Sequence, residues 1–159
     1  MNIGHCSLVR MKHLVYLGLG ANLGNREETI LRAYEKIKRL IGTIKRQSAF
    51  YYSKPWGFTS ENTFANTVIL VETELLPRQL LRRTQQIERL MGKTKAHATV
   101  RGQLGTSQSS PFTYKDRPID IDILLYDDLT INEPDLKIPH PLMHERPFVM
   151  EPLREITEA

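Results

Sequence analysis

Asp120 and Asp122 stand two residues apart within the run Arg117-Pro118-Ile119-Asp120-Ile121-Asp122-Ile123-Leu124-Leu125. Successive side chains of a β-strand point to opposite faces, so Ile119, Ile121 and Ile123 turn to a core while the two carboxylates share the other face. Adjacent carboxylates repel unless a positive charge lies between them, and an all-oxygen pair is donor chemistry suited to Mg²⁺. The same alternation is ordinary patterning for a strand with one solvated face, and the pair alone leaves both readings open.

Other reactive residue types are weaker signals. His140 and His144 have H-x-x-x-H spacing, but a metal pair at that spacing needs one helix, and Pro141 opposes it. A single His140 on the rigid Ile138-Pro139-His140-Pro141 loop is better suited to lie near phosphates, or simply to pack. In Gly18-Leu-Gly20-Ala-Asn-Leu-Gly24 the third glycine arrives one residue late for a dinucleotide fingerprint, and no Lys-Ser/Thr ending makes it a Walker A loop. It reads as a tight turn delivering the chain into a helix. Phe50, Tyr51, Tyr52, Trp56, Phe58 and Phe64 gather around a Pro/Gly loop, either as core or as faces for a flat heterocycle.

The elements that must hold these residues follow from periodicity. His13 to Gly20 is a short apolar run of strand formers. Asn25 as N-cap, Glu28 three residues on, and the stripe Ile30, Leu31, Tyr34, Ile37, Leu40, Ile41 predict a helix of about four turns stopped at Gly42. Thr43 to Tyr52 reads as a strand, Ser53 to Glu61 as a loop, and Phe64 to Glu74 as another strand. Pro77 opens a second helix with Leu80, Thr84, Ile87 and Met91 inward and Gly92 as its stop. Gln85 and Glu88, spaced i, i+3, share a different face of it.

From Lys93 to Arg117 periodicity disappears, and the segment carries Lys93, Lys95, Arg101, Lys115 and Arg117 straight into the acidic strand. Connections this long are usually functional loops or linkers, and cations beside two acids favour a phosphate-closing lid over a solvated linker. A turn and short strand follow over Tyr126 to Leu136, and Val149 to Ile156 forms a short terminal helix or turn. The order is strand, helix, strand, strand, helix, strand. That is the split βαβ pattern of an α+β, ferredoxin-like sandwich, with a largely antiparallel sheet and helices packed on it. Residues 1–12 read as an N-terminal extension and 13–159 as a single domain with its lid at 93–117.

Composition bounds the function. The chain has 159 residues, 40% of them hydrophobic, enough for one core. Lys and Arg number 22 against 18 Asp and Glu, a formal charge of +4 that suits anionic partners without selecting one. The lone cysteine, Cys6, permits no intrachain disulfide, and no apolar run reaches membrane-spanning length. The expectation is a cytoplasmic monomer that engages neither membrane nor nucleic acid.

Taken in order, Gly20-Ala-Asn-Leu-Gly24, Phe64-Ala-Asn66, Gln85-x-Ile87-Glu88-x-x-x-Gly92, Arg117-x-x-Asp120-Ile-Asp122-Ile-Leu-Leu, Ile138-Pro139-His140 and Arg146-x-Phe148 form a specific set. From about Leu14 to Ile156 the chain resembles the 6-hydroxymethyl-7,8-dihydropterin pyrophosphokinases, folate-pathway enzymes that transfer pyrophosphate from ATP to a pterin alcohol. The resemblance implies that Asp120 and Asp122 hold two Mg²⁺ ions bridging the triphosphate, and that Asp122 is also a candidate to receive the hydroxyl proton. It implies that Arg117 and Lys93 close on the phosphates, that Gln85, Glu88, His140 and Arg146 hold the nucleotide, and that Ile123 lines the adenine pocket. For the pterin it implies Asn66 on the ring amide edge, stacking by Phe64 and Phe148, and backbone groups near Ser53 and Trp56.

Three features depart from the family pattern. Lys93 stands where an arginine is usual and cannot make bidentate phosphate bonds. The lid is longer than typical, and most members continue past the position of Ala159. Two rival functions share the acidic motif or the fold: a nucleotidyl- or glycosyltransferase with an Asp-x-Asp metal site, and an RNA-binding module.

Overall fold

A computed structural model describes residues 11–54, 63–92 and 118–158. The predicted extension up to residue 10, the lid at 93–117 and Trp56 lie outside the described residues. The chain runs β1 (His13–Ala21), α1 (Arg26–Leu40), β2 (Gly42–Gln47), β3 (Tyr51–Ser53), β4 (Phe64–Thr73), α2 (Pro77–Leu90), β5 (Asp120–Tyr126), β6 (Ile131–Glu133), β7 (Leu136–Ile138) and α3 (Pro147–Thr157). Strands β2, β4, β1 and β5 form one antiparallel sheet in that order, β3 extends β4's pairing, and β6–β7 is a separate hairpin. This is the α+β ferredoxin-like architecture that the element order predicts.

Helices cover both faces. On one face, Val15, Leu17, Leu19, Ala65, Ile69, Val71, Ile119, Ile121 and Ile123 meet Ile30, Ala33 and Ile37 of α1 and Leu80 and Ile87 of α2. On the other, Val68, Leu70 and Leu124 pack with Val149, Leu153 and Ile156 of α3. Helix α1 starts where the sequence places it: Asn25 Oδ1 accepts the Glu28 N–H at 3.1 Å, and Asn25 Nδ2 donates to Glu28 Oε1 at 3.2 Å.

Two boundaries differ from expectation. The predicted 43–52 strand is broken between β2 and β3 because side chains take over its ladder. Ser48 Oγ accepts the Val68 N–H at 3.0 Å, and the Glu155 carboxylate of α3 accepts the Ala49 N–H at 3.2 Å. Gly42, expected as a helix stop, instead opens β2, and a Cβ there would lie 2.1 Å from the Glu72 carbonyl oxygen. It is glycine because β4 passes against it. Gly92 is a true stop at φ +110°, and a Cβ on it would lie 3.5 Å from Pro118 Cγ. The last described residue before the 93–117 segment thus abuts the first one after it.

Candidate active site

The β1 register assembles the site. Gly20 pairs with Asn66 of β4 on one side and Asp120 of β5 on the other, and Gly18 pairs likewise with Val68 and Asp122. Directly paired residues share a face, so a row runs Asn66, Gly20, Asp120 and a second runs Val68, Gly18, Asp122. With strands spaced 4.7–4.9 Å, Asn66 and Asp120 are anchored roughly 10 Å apart across a glycine floor. Ile119, Ile121 and Ile123 are buried on the opposite face, as the alternation predicts. Sequence reasoning missed the floor by taking the glycines as part of a turn. Their signal was two glycines at strand spacing, which empty one face.

At the acidic end, Asp120 and Asp122 are half-buried neighbours. Arg146, at the N-cap of α3, brings Nη1 to 4.0 Å from Asp122 Oδ2, with its guanidinium over the Phe148 ring 5.9 Å from the centroid. His140 is held beside them: its N–H donates to the Leu124 carbonyl at 3.0 Å, and its Nδ1 accepts the Leu142 N–H at 3.2 Å. An accepting Nδ1 puts the ring proton of the neutral imidazole on Nε2. Burial lowers the His140 pKa from its ordinary value, as does the nearby Arg146 charge, with Asp120 acting in the other direction. His144, in the one-turn helix Met143–Glu145, is exposed and shares no helix with His140, so the histidine pair is not a metal motif.

At the other end, Asn66 is 5% exposed. Its Nδ2 donates to the Tyr51 carbonyl at 3.0 Å and to Ser53 Oγ at 2.9 Å. Its Oδ1 lies 3.1 Å from where a Gly20 Cβ would stand, and Phe64 Cδ2 lies 3.5 Å from the same point. Ser53, Phe64 and Asn66 therefore form one cluster, whereas Phe148, which the resemblance groups with them, stands beside Arg146. Two supports were not foreseen. Glu155 of α3 accepts from the Tyr51 hydroxyl at 3.0 Å, a bond that raises the Tyr51 pKa. Arg26 and Glu27, adjacent in the first turn of α1, hold both stems of the β3–β4 connection: Arg26 donates to the Thr63 carbonyl at 2.8 Å, and Tyr52 donates to Glu27 at 2.6 Å.

The remaining predicted residues divide. Gln85 is exposed on α2, whereas Glu88, only 8% exposed, accepts the Ile121 N–H at 2.8 Å through Oε2. The two do not share one environment, because the edge of the buried stripe passes between them. The Ile123 side chain lies in the core beneath α1 and α2, 6% exposed, and not on the carboxylate face. A strand's period of two forbids both placements at once, so any adenine contact at Ile123 falls to its backbone. Lys93, Arg117 and Trp56 lie outside the described residues. Among the described residues no group of three or more His, Cys, Asp or Glu side chains surrounds a common point. Two carboxylates are nonetheless a donor set that fits Mg²⁺, which takes one or two from protein and completes its octahedron with phosphate and water oxygens.

A carboxylate pair, a neutral imidazole and a guanidinium at one end of a cleared floor, with a fixed carboxamide at the other, define a phosphoryl-type transferase with a heterocyclic acceptor. The model of the 7,8-dihydro-6-hydroxymethylpterin-pyrophosphokinase family matches residues 16–158, and the chain belongs to that family. It is a pyrophosphokinase of folate biosynthesis, transferring pyrophosphate from ATP to hydroxymethyldihydropterin. Among its relatives, the 2-amino-4-hydroxy-6-hydroxymethyldihydropteridine pyrophosphokinase of Porphyromonas gingivalis is 40% identical over 144 residues, covering 90% of either chain. The Aquifex aeolicus enzyme of the same name is 39% identical over 142 residues, covering 89% of this chain and 79% of its own. A crystal structure of a Plasmodium falciparum HPPK-DHPS triple mutant aligns with TM-score 0.67 at 16% identity, over 94% of this chain and 40% of that one. That likeness bears on the fold, and this chain spans two fifths of its length.

Proposed function

We propose that this chain is a single-domain pyrophosphokinase in which Asp120 and Asp122 receive the metal-bound triphosphate and Asn66 selects the pterin. The observation that supports this reading is the row Asn66, Gly20, Asp120, which sets a carboxamide and a carboxylate on one face across a glycine. Two Mg²⁺ ions, when bound, would neutralise the phosphates and polarise the transferring phosphorus. The chain's own residues then have separable tasks. Asp120 and Asp122 orient the triphosphate, and Arg146, already beside Asp122, turns its guanidinium toward phosphate oxygens as the carboxylate is engaged elsewhere. His140 stays neutral and donates from Nε2, adding a hydrogen bond without a charge that would compete for the carboxylates.

At the acceptor end, Asn66 Oδ1 meets the ring amide edge while its Nδ2 remains tied to Tyr51 and Ser53. Phe64 and Phe148 supply stacking faces, with Trp56 and the backbone near Ser53 completing the pocket. The hydroxymethyl oxygen attacks the β-phosphorus in line. The bond from that phosphorus to the oxygen bridging the α- and β-phosphates breaks, AMP leaves with that oxygen, and the hydroxyl proton passes to water or to Asp122. Lys93 and Arg117 supply positive charge as the transferred group loosens. Gln85, exposed on α2, is placed on the nucleotide side. The protein works as a monomer in the cytoplasm, and among the described residues no helix is long and apolar enough to cross a membrane.

The deciding experiment is product analysis with Mg-ATP and 6-hydroxymethyl-7,8-dihydropterin. AMP should form one-for-one with pterin pyrophosphate. ADP would mean attack on the γ-phosphorus, and no pterin-dependent turnover would return the acidic pair to another transferase chemistry.

A further inference from the structure

Glu88 is a buried carboxylate that the proposed mechanism does not use, and its position is specific. It lies on the sheet-facing side of α2 and reaches the outer edge of β5, the last strand of the sheet. An edge strand presents N–H and C=O groups with no neighbouring strand to hold them. Glu88 Oε2 accepts one of these, the N–H of Ile121, at 2.8 Å in a buried bond. Ile121 is the residue between Asp120 and Asp122, so its Cα lies one peptide, about 3.8 Å, from the Cα of each. A rotation or slide of β5 at this point would move both carboxylates together.

We infer that Glu88 is a positioning residue for the metal-binding pair: by accepting the Ile121 N–H it fixes the stretch of β5 that carries Asp120 and Asp122, without touching substrate. The claim deepens the proposed function and rests on its assignment of the pair to metal. It gives Glu88 a task other than the expected nucleotide contact. Its Oε2 is committed to a backbone donor of β5. The arrangement is that of an outer-shell partner orienting ligands it does not itself replace.

The test compares wild type with Glu88→Gln and Glu88→Leu. Gln keeps an oxygen acceptor at the same reach, and Leu fills similar volume with none. Mn²⁺ binding is titrated by electron paramagnetic resonance with a non-hydrolysable ATP analogue present, analogue binding is measured separately in EDTA, and thermal melts report folding. Glu88→Leu should weaken Mn²⁺ binding by about tenfold or more, the usual effect of losing an outer-shell partner. Glu88→Gln should recover most of that loss, and metal-free analogue affinity should not change in either.

Wild-type Mn²⁺ affinity in a folded Glu88→Leu protein overturns the inference. So does an equal loss in both variants, which would indicate charge in place of the hydrogen bond, or a loss of analogue affinity in EDTA, which would restore a nucleotide contact. If Glu88→Leu fails to melt cooperatively, Glu88→Gln decides: wild-type Mn²⁺ binding supports positioning, and weakened binding overturns it. Asp122→Ala run alongside separates the two levels, since undiminished Mn²⁺ binding there sinks the metal assignment itself.

Discussion

Adding a single methyl to the floor should separate the two substrates, and Gly20→Ala is the substitution to use. Its Cβ would stand 3.1 Å from Asn66 Oδ1 and 3.5 Å from Phe64 Cδ2. The first distance is too short to accept without movement, and Asn66 is tethered through Nδ2 to the Tyr51 carbonyl and Ser53. The carboxamide must therefore give by a few tenths of an ångström, which displaces the Oδ1 proposed to meet the pterin. Spoiling one hydrogen bond to a buried partner costs about 1–3 kcal/mol, or roughly five- to 150-fold in affinity. Stability should change little, since replacing glycine inside a strand contributes about 0.5–1 kcal/mol that offsets the local crowding. Gly18→Ala is the control. Its Cβ would meet only Leu124 side-chain carbons at 3.4–3.6 Å as nearest neighbours, an ordinary contact. In steady-state assays, Gly20→Ala should raise KM for the pterin with KM for ATP unchanged, and Gly18→Ala should hold pterin KM within about twofold. Equal losses for both substrates, or equal effects of the two substitutions, would refute the division of the floor.

Asp122→Ala should abolish turnover while the thermal melt stays cooperative, because it removes a metal donor and a carboxylate repulsion together; near-normal turnover would remove Asp122 from the mechanism. Arg117→Ala should slow the single-turnover chemical step far more than it weakens ATP binding, and an effect confined to binding would make that arginine a cover only. His140 gives a pH signature. Its folded pKa lies below the ordinary 6.5, so the unfolded chain binds more protons there and stability falls as pH drops from about 6.5 through the folded value. His140→Asn should flatten that part of a Tm-against-pH curve, and a slope indistinguishable from wild type would show the imidazole to be unburdened by its setting.

Local chemistry made much of the site readable. The alternation from Ile119 to Ile123 fixed which face the carboxylates take, and Asn25 with Glu28 fixed where α1 begins, since both depend on neighbours a few residues away. What escaped the reading depends on distant partners. The break between β2 and β3 is made by Glu155, and Gly42 is set by the approach of Glu72. At α2, the spacing of Gln85 and Glu88 shows that they are near each other but not where the water boundary falls between them. Ile123 illustrates the opposite difficulty: the resemblance assigns it to a pocket that its own strand period turns its side chain away from.

The apposition of Gly92 and Pro118 means that the long basic insertion leaves and re-enters the framework at a single spot. The described framework therefore fixes where this stretch starts and ends, and not how many residues it holds. Residues inserted or removed between Lys93 and Arg117 leave the join at Gly92 and Pro118 where it is. It is also the natural splice point for chimeras, where one member's insertion can be grafted onto another's framework to ask which of the two sets the turnover rate.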